Sequence, residues 1–348
     1  MMRSGWFRGV ALLLILSLPL FVAGCGLFKT KTEIDPPPAE TEGGADIQTI
    51  APAEEMAGSG KTAPVTLYFK DSDGYVAPIT MDLPFSEGIA KRSLEYMVDG
   101  GPVTEMLPAG FKALLPKNTT MTVDIDAKEK LATVDFSKQF ADYAASDERK
   151  ILEAVTWTLT GFPSVDKVRL QIAGQDLVEM PVAGMPLDEP VSRAIGINVE
   201  QAAGVPISEA SPVTLYFLNE TSQGYRYYVP VTRLIEQPQD IAMAALQQLI
   251  KGPGEQSKLQ EVIAPSAEIL GVDQSDGLVT VNFGNQILSS DNTVPAETLQ
   301  SVVQSLADST GGDKVQIMVD GSVQVVASDH TDYGRPVSKE AHINPLRL

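Results

Sequence analysis

Val65, Leu67 and Phe69 alternate with Thr66 and Tyr68, the period-two pattern of a strand with one buried face. A turn composition follows at Asp71-Ser72-Asp73-Gly74, and Val76 to Leu83 then predicts an antiparallel return strand in which Pro78 is a point of interruption. Ala90, Leu94, Met97 and Val98 fall at i, i+4, i+7 and i+8, so the period changes to that of a helix, which Gly100 stops. Met121 to Asp126 and Leu131 to Phe136 predict a second hairpin, with Ala132, Val134 and Phe136 on the buried side of its return strand. Leu152, Val155 and Leu159 mark a second helix, whose first turn carries the acids Asp147 and Glu148. Val168 to Ile172 is the last core strand.

The whole series then occurs again. Pro64-Val65-Thr66-Leu67-Tyr68-Phe69 reappears as Pro212-Val213-Thr214-Leu215-Tyr216-Phe217. Ala242, Leu246, Leu249 and Ile250 repeat the first helical stripe and Gly252 its stop. Val279, Val281 and Phe283 repeat the hairpin strand behind an Asp276-Gly277 turn. Leu299, Val302 and Leu306 repeat the second helix, with Pro295 and Glu297 at its start, and Val315 to Val319 the last strand. Pro190-Val191-Ser192-Arg193 and Pro336-Val337-Ser338-Lys339 each lead to an Ile-Asn pair, Ile197-Asn198 and Ile343-Asn344. A repeat of nearly 150 residues marks duplicated domains, not a short-repeat solenoid.

The order strand, strand, helix, strand, strand, helix, strand predicts an α+β domain, present twice in tandem: a mostly antiparallel sheet with two helices on one face. The expected organisation is a leader over 1–24, a tether over 25–63, copy one over 64–198, a linker over 199–211, and copy two with its tail over 212–348. The helix-free sheet face would be left to water or a partner. Tyr68 and Tyr216, out of phase with the buried positions, are expected either on that face or packed at an edge under a loop.

Residues 1–24 alter this picture. Arg3 and Arg8 precede an apolar run from Val10 to Val22, and Ala23-Gly24 lead to Cys25, the parts of a secretory leader. Phe21-Val22-Ala23-Gly24-Cys25 is similar to a bacterial lipobox, which makes Cys25 the expected lipid attachment site and the membrane a partner through that anchor. Residues 26–63 hold Pro36-Pro37-Pro38 and Gly43-Gly44 with scattered acids and little apolar periodicity, the composition of a disordered tether. Such a coil spans roughly 30–40 Å.

Cys25 is the single cysteine, and His330 and His342 are the two histidines, so the sequence holds no intramolecular disulfide and no thiolate or histidine metal set. A formal charge of −19 argues against nucleic acid as a partner. Ser328-Asp329-His330 offers the residue types of a hydrolase but has no counterpart in copy one, and sequence neighbours do not form a triad. The acids shared by both copies, Asp126 with Asp273 and Asp166 with Asp313, fall at a hairpin turn and a strand entrance, solvated positions and not a general acid–base pair. Asp71 and Asp73 read as turn chemistry and not a calcium loop, because copy two offers Asn219 and Glu220 there. No catalytic residue, metal or cofactor is expected. A wall-glycan hydrolase and a solute-capturing lipoprotein remain as competing readings.

With the lipobox and both copies laid out, the chain resembles the GerM sporulation and germination lipoproteins, built from paired GerMN domains. The resemblance is carried by the Val-Thr-Leu-Tyr-Phe opening, Tyr96-Met97-Val98-Asp99-Gly100-Gly101-Pro102, Thr133-Val134-Asp135-Phe136 and Lys167-Val168-Arg169-Leu170. In copy two it rests on Leu249-Ile250-Lys251-Gly252-Pro253, Thr280-Val281-Asn282-Phe283 and Lys314-Val315-Gln316-Ile317. It implies a fold similar to the ring-building motif, and a non-enzymatic scaffold in the spore-former envelope acting in assembly of the mother cell–forespore complex and in germination. It implies a place on the extracytoplasmic face of the membrane, with envelope or sporulation-channel proteins as partners and self-association compatible with the fold. Peptidoglycan binding or modification is the alternative.

Overall fold

The computed structural model describes residues 61–201, 205–206 and 209–346. The leader, Cys25 and the tether up to residue 60 lie outside the described residues. Copy one runs through β1 (Thr62–Lys70), β2 (Val76–Pro84), α1 (Ile89–Tyr96), β3 (Met121–Asp126), β4 (Leu131–Phe136), α2 (Glu148–Leu159), β5 (Lys167–Ile172) and β6 (Gln175–Asp176). A short β7 (Glu200–Gln201) leads into copy two: β8 (Ala210–Glu220), β9 (Arg226–Glu236), α3 (Ile241–Lys251), β10 (Ile269–Ser275), β11 (Leu278–Phe283), α4 (Ala296–Thr310) and β12 (Lys314–Val319). The class is α+β, and both copies fall in one compact unit, Ala57–Leu348.

Each copy divides its strands between a hairpin, β1–β2 or β8–β9, and a separate sheet, ordered β3-β4-β5-β6 or β10-β11-β12. Antiparallel pairing holds in both hairpins and in β3–β4 and β10–β11. By contrast, β4 and β5 run parallel, as do β11 and β12, because α2 and α4 are crossover helices that return the chain to the same end of the sheet. The core lies between these layers. Ala132, Val134 and Phe136 of β4 and Leu67 and Phe69 of β1 are fully buried with Ile151, Leu152, Val155 and Leu159 of α2. Val279, Val281 and Phe283 meet Leu299, Val302 and Leu306 in copy two.

Two local outcomes differ from the expected pattern. Helix α1 ends at Tyr96, before Met97 and Val98, while α3 continues to Lys251. The reason is a competing pairing: Leu115 donates to the Met97 carbonyl and Asp99 donates to the Leu115 carbonyl, which draws the chain out of the helix while Met97 stays buried. Pro78 does not interrupt β2. It faces Tyr68 at a position whose polar groups point away from β1, so no ladder bond is lost.

That outward edge of β2 explains how the copies join. The Asn198 amide accepts from Val76 N–H at 2.8 Å and donates to the carbonyls of Val76 (2.8 Å) and Pro230 (2.7 Å). The Asn344 amide accepts from Tyr228 N–H and donates to the carbonyls of Tyr228 and Pro78, all at 2.8 Å. Each asparagine therefore closes its own hairpin and grips the proline of the other copy's hairpin, in a pseudo-two-fold arrangement. Backbone bonds extend it: Thr80 N–H donates to the Asn344 carbonyl, and Thr232 N–H donates to the Ile197 carbonyl. Both asparagines sit at positive φ, 47° and 53°, a region that asparagine tolerates better than most residues. Gly196, at φ 77°, approaches Thr232 so closely that a Cβ would lie 3.0 Å from its Cβ.

Replacing Asn344 by Asp removes both donors and sets a charge against two carbonyls. Urea unfolding of N344D should show a loss of about 2–4 kcal/mol, from roughly 1 kcal/mol per lost bond plus the buried groups left unpaired. A loss below about 0.5 kcal/mol would show that the amide does not hold the copies together.

Candidate interaction clefts between the two copies

Tyr68 and Tyr216, alternatives for an open contact face, are both buried. Tyr68 packs edge-on against Trp157 of α2, with ring centroids 5.8 Å apart. Tyr216 donates its hydroxyl to Asp308 of α4 at 2.6 Å. Each tyrosine thus packs against the second helix of its own copy, so of the two expected placements the open face is corrected, and the cover at the edge is a helix and not a loop. Burial pushes the Tyr68 hydroxyl up to about 12, with nearby Arg193 opposing the shift, so it stays protonated at neutral pH.

Around this pair the repeat has placed polar groups from both copies. Arg193 lies over the Trp157 ring at 4.4 Å and donates to Thr160 Oγ1 at 3.0 Å. Asp308 receives Tyr216, Lys339 and, at 3.9 Å, Arg193. Arg193 and Lys339 are the matching cations of the two Pro-Val-Ser segments, so one carboxylate of copy two collects the cation of each copy. These groups border a cleft of about 790 Å³.

A second cleft of about 1010 Å³ opens between Arg149, Glu153, Glu200 and Arg233. Its buried charges are engaged: Glu153 accepts from Arg149 (2.8 Å) and Asn198 N–H (3.1 Å), while Arg233 pairs with Glu200 at 2.8 Å. Burial raises the Glu153 carboxyl against the opposing pull of those donors.

Asp71 and Asp73 act as turn residues, Asp71 Oδ1 accepting from the N–H groups of Asp73 and Tyr75. They also face copy two. The Asn219 amide donates to both carboxylates at 3.1 Å, Tyr227 donates to Asp71 at 2.8 Å, and Lys258 donates to Asp73 at 2.6 Å. The acid pair is filled by an amide and an ammonium of the same chain. Phe111 of copy one packs edge-on to Tyr227 beside it, 4.8 Å between centroids. Glu148, an N-terminal acid of α2, is buried. It accepts from the N–H groups of Val182, Ala183 and Met185 and from Tyr143, anchoring the loop after β6 to the helix.

The remaining acids are dispersed. Asp126 accepts from Lys128 and Glu129 N–H at its turn, Asp166 pairs with Lys130 at the surface, and Asp135 accepts from Gly174 N–H. Asp273 accepts from Ser275, its neighbour on β10, and Asp313 lies on the rim of the smaller cleft. Ser328 accepts from Ala296 N–H and Asp329 from Thr331 N–H, while His330 is exposed, so these neighbours do not converge. Among the described residues no cluster of His, Cys, Asp and Glu could hold a metal ion.

Burial raises the Asp71 carboxyl against four opposing hydrogen bonds. A raised folded-state value makes its contribution to stability greatest below the unfolded carboxylate range, and that contribution falls as pH rises through the folded value. Urea titrations should therefore show the stability of D71N, relative to the parent, improving from pH 4 toward neutrality. A pH-independent difference would remove Asp71 as a titrating group.

Comparison with known proteins agrees with the duplicated architecture. The family model described as "Germane: Sporulation and spore germination" matches residues 66–178 and again 214–325. "Spore germination protein GerM" of Bacillus subtilis (strain 168) is 38% identical over 351 residues, covering 94% of this chain and 95% of that protein. The solved tandem GerMN domains of the Bacillus subtilis sporulation protein GerM superpose with a TM-score of 0.77 at 40% identity, covering 81% of this chain and all of the other. Lipoprotein LpqB of Cutibacterium acnes is 32% identical over 127 residues, 36% of this chain and 21% of that protein. The chain belongs to the Germane family of sporulation and spore germination proteins.

Proposed function

We propose that this chain is a lipid-anchored, non-enzymatic scaffold of the spore-former envelope, held through Cys25 on the extracytoplasmic face. It would assemble or position the complex between mother cell and forespore, with consequences for germination. The observation that carries the reading is the reciprocal asparagine join. Two copies fixed as one body present their outer surfaces at a constant separation and orientation, which is what positioning requires and what turnover does not. Linked binding modules also raise the effective concentration of a second contact without new chemistry. The absence of a converging nucleophile and base, or of a paired acid and base, among the described residues is compatible with the reading but does not carry it. The lipoprotein relative LpqB supports the anchoring part by its name, over a short span.

Photoreactive residues in place of Lys91 and Phe85, both exposed, offer a direct test in sporulating cells. Recovery of envelope-complex proteins at one position and not the other is expected and maps the contact side. Recovery of peptidoglycan fragments alone would replace the scaffold with a wall-binding or wall-modifying protein. The anchor has its own test: C25A should move the chain from the membrane fraction to the soluble fraction, and retention at the membrane would overturn attachment at Cys25.

A further inference from the structure

The two copies close the outer edge of their first strand differently. Thr66 faces Thr80 and Tyr68 faces Pro78 across the hairpin. Thr80 and Val76 direct their N–H groups away from β1, to Asn344 and Asn198. These are therefore the non-hydrogen-bonded pairs of the ladder, and Thr66 and Tyr68 also direct N–H and C=O outward. In β8 the matching groups are taken by serines one helical turn apart on α4. Thr214 N–H donates to Ser309 Oγ, and Ser309 donates back to the Thr214 carbonyl, both at 3.0 Å. Tyr216 N–H donates to Ser305 Oγ at 2.9 Å, and Ser301 donates to the Tyr216 carbonyl.

Copy one has no such ladder. The aligned positions are Ala154, Thr158 and Phe162, and the Thr158 hydroxyl donates to Met97 Sδ instead, at 3.2 Å. Helix α2 has 12 residues against 15 in α4, so it stops short of Thr66. Farther along, Lys70 is closed by reciprocal backbone bonds with Lys112. Among the described residues, the outward backbone groups of Thr62, Pro64, Thr66 and Tyr68 have no hydrogen-bond partner, although the Tyr68 residue is 4% exposed. Tyr68 is closed off from solvent, whereas Thr66 is half-buried and Thr62 and Pro64 are exposed, so water reaches the outer part of the edge and the cost of lacking a partner falls on the groups of Tyr68.

The 790 Å³ cleft runs along this edge from Pro64 to Tyr68, walled by Trp157 and Thr158 of α2 and the chain after it, and by Gly311–Asp313 and the Lys339–Ile343 segment of copy two. Asp308 is occupied by Lys339, Arg193 and Tyr216, whereas Asp313 and Glu340, also on the wall, have no cation within salt-bridge distance among the described residues. In a chain of formal charge −19 these two acids favour a basic occupant.

We propose that the outer edge of β1, from Thr62 to Tyr68, receives an extended basic polypeptide segment of a partner protein, which adds to the hairpin as a further strand. The backbone of Thr66 supplies the central pair of hydrogen bonds, and Asp313 and Glu340 meet the partner's cations. This is the strand-addition mode of recognition, in which main-chain bonds give affinity and alternate side chains give specificity. It goes beyond the scaffold reading and does not depend on it, since the edge is defined in the free protein.

The probe is a capped, fluorescent peptide alternating valine with lysine or threonine, titrated against the full chain in detergent solution and followed by anisotropy. Two control peptides carry N-methyl groups on one or the other alternate set of amides. Saturable binding is expected, weakened by at least about tenfold when one set is methylated and little changed when the other is. T66P removes the central N–H and should weaken binding similarly; proline already stands at the outward positions 64 and 78, so the strand tolerates it. Hydrogen exchange should show the Thr66 amide fast in the free protein and slowed by the peptide, with Thr214 slow in both states. No saturable binding up to about 1 mM, equal effects of the two methylation patterns, or equal binding of a glutamate-for-lysine peptide would each overturn the proposal. Should T66P fail to fold, the methylated pair still decides.

Discussion

Two carboxamides, those of Asn198 and Asn344, occupy the space where two strand edges would otherwise meet. A strand edge exposes one donor and one acceptor at every second residue, and burying it without partners costs more than the bond itself is worth. At Pro78 and Pro230 the edges of β2 and β9 lack the donor, so the two hairpins cannot complete a ladder with each other at those positions. A carboxamide has the same donor–acceptor pattern as a peptide group, with one more N–H, and can serve one peptide of its own hairpin and one proline carbonyl of the other. The constraint is reciprocal: removing either asparagine strands groups in both copies. Each copy's Ile-Asn tail therefore has to reach across its own hairpin to the other copy, and the positive φ of both asparagines follows from that bend.

Much of the local architecture was legible because period and turn chemistry agreed. The second hairpin of copy one, the Asp276-Gly277 turn, the stripes of α2 and α4 and the last strands all follow from alternation or helical spacing. The parallel pairing of β4 with β5 was not explicit, although a helix between two strands implies it. Residues that join the copies were harder to read. The Ile-Asn pairs were visible as a repeat, but nothing in a lone Ile-Asn reveals that its amide bridges two edges. Ser301, Ser305 and Ser309 stand at i, i+4 and i+8 within an otherwise apolar stripe, a usable sign that a helix buries a polar seam. The tyrosines stayed between two placements for a physical reason: alternation tells which residues share a side of a strand, and it cannot tell whether the other side meets water or a helix of the same copy.

Duplication supplies a comparison internal to the molecule, and the differences are as informative as the matches. Where both copies keep a residue type or its charge, as at Tyr68 and Tyr216 or Arg193 and Lys339, the pair borders the same cleft. Where they differ, one copy has closed a polar requirement that the other leaves open. At Asp71 and Asp73 the two copies meet in an asymmetric form. Two carboxylates approach each other in copy one, and copy two answers with an amide and an ammonium. Like charges held this near would raise their own protonation without such donors. The acid pair that resembles a cation site in sequence is in effect a site already occupied by the chain.

The same logic separates stability from function at the first strand. Closing a strand edge with hydroxyls from a neighbouring helix satisfies the backbone permanently, and α4 does this for β8. In copy one Ala154 of α2 and Phe162 beyond its end take two of the three positions, and the third, Thr158, turns its hydroxyl to a methionine sulfur. Selection for stability alone would favour the serine ladder in both copies, because each bond contributes roughly 1 kcal/mol and α2 already packs beside Tyr68. A shortened helix and an unpaired edge beside a cleft are therefore a departure in the direction of lower stability, located where both copies contribute walls. Departures of that kind are where a fold gives up local satisfaction to receive something from outside.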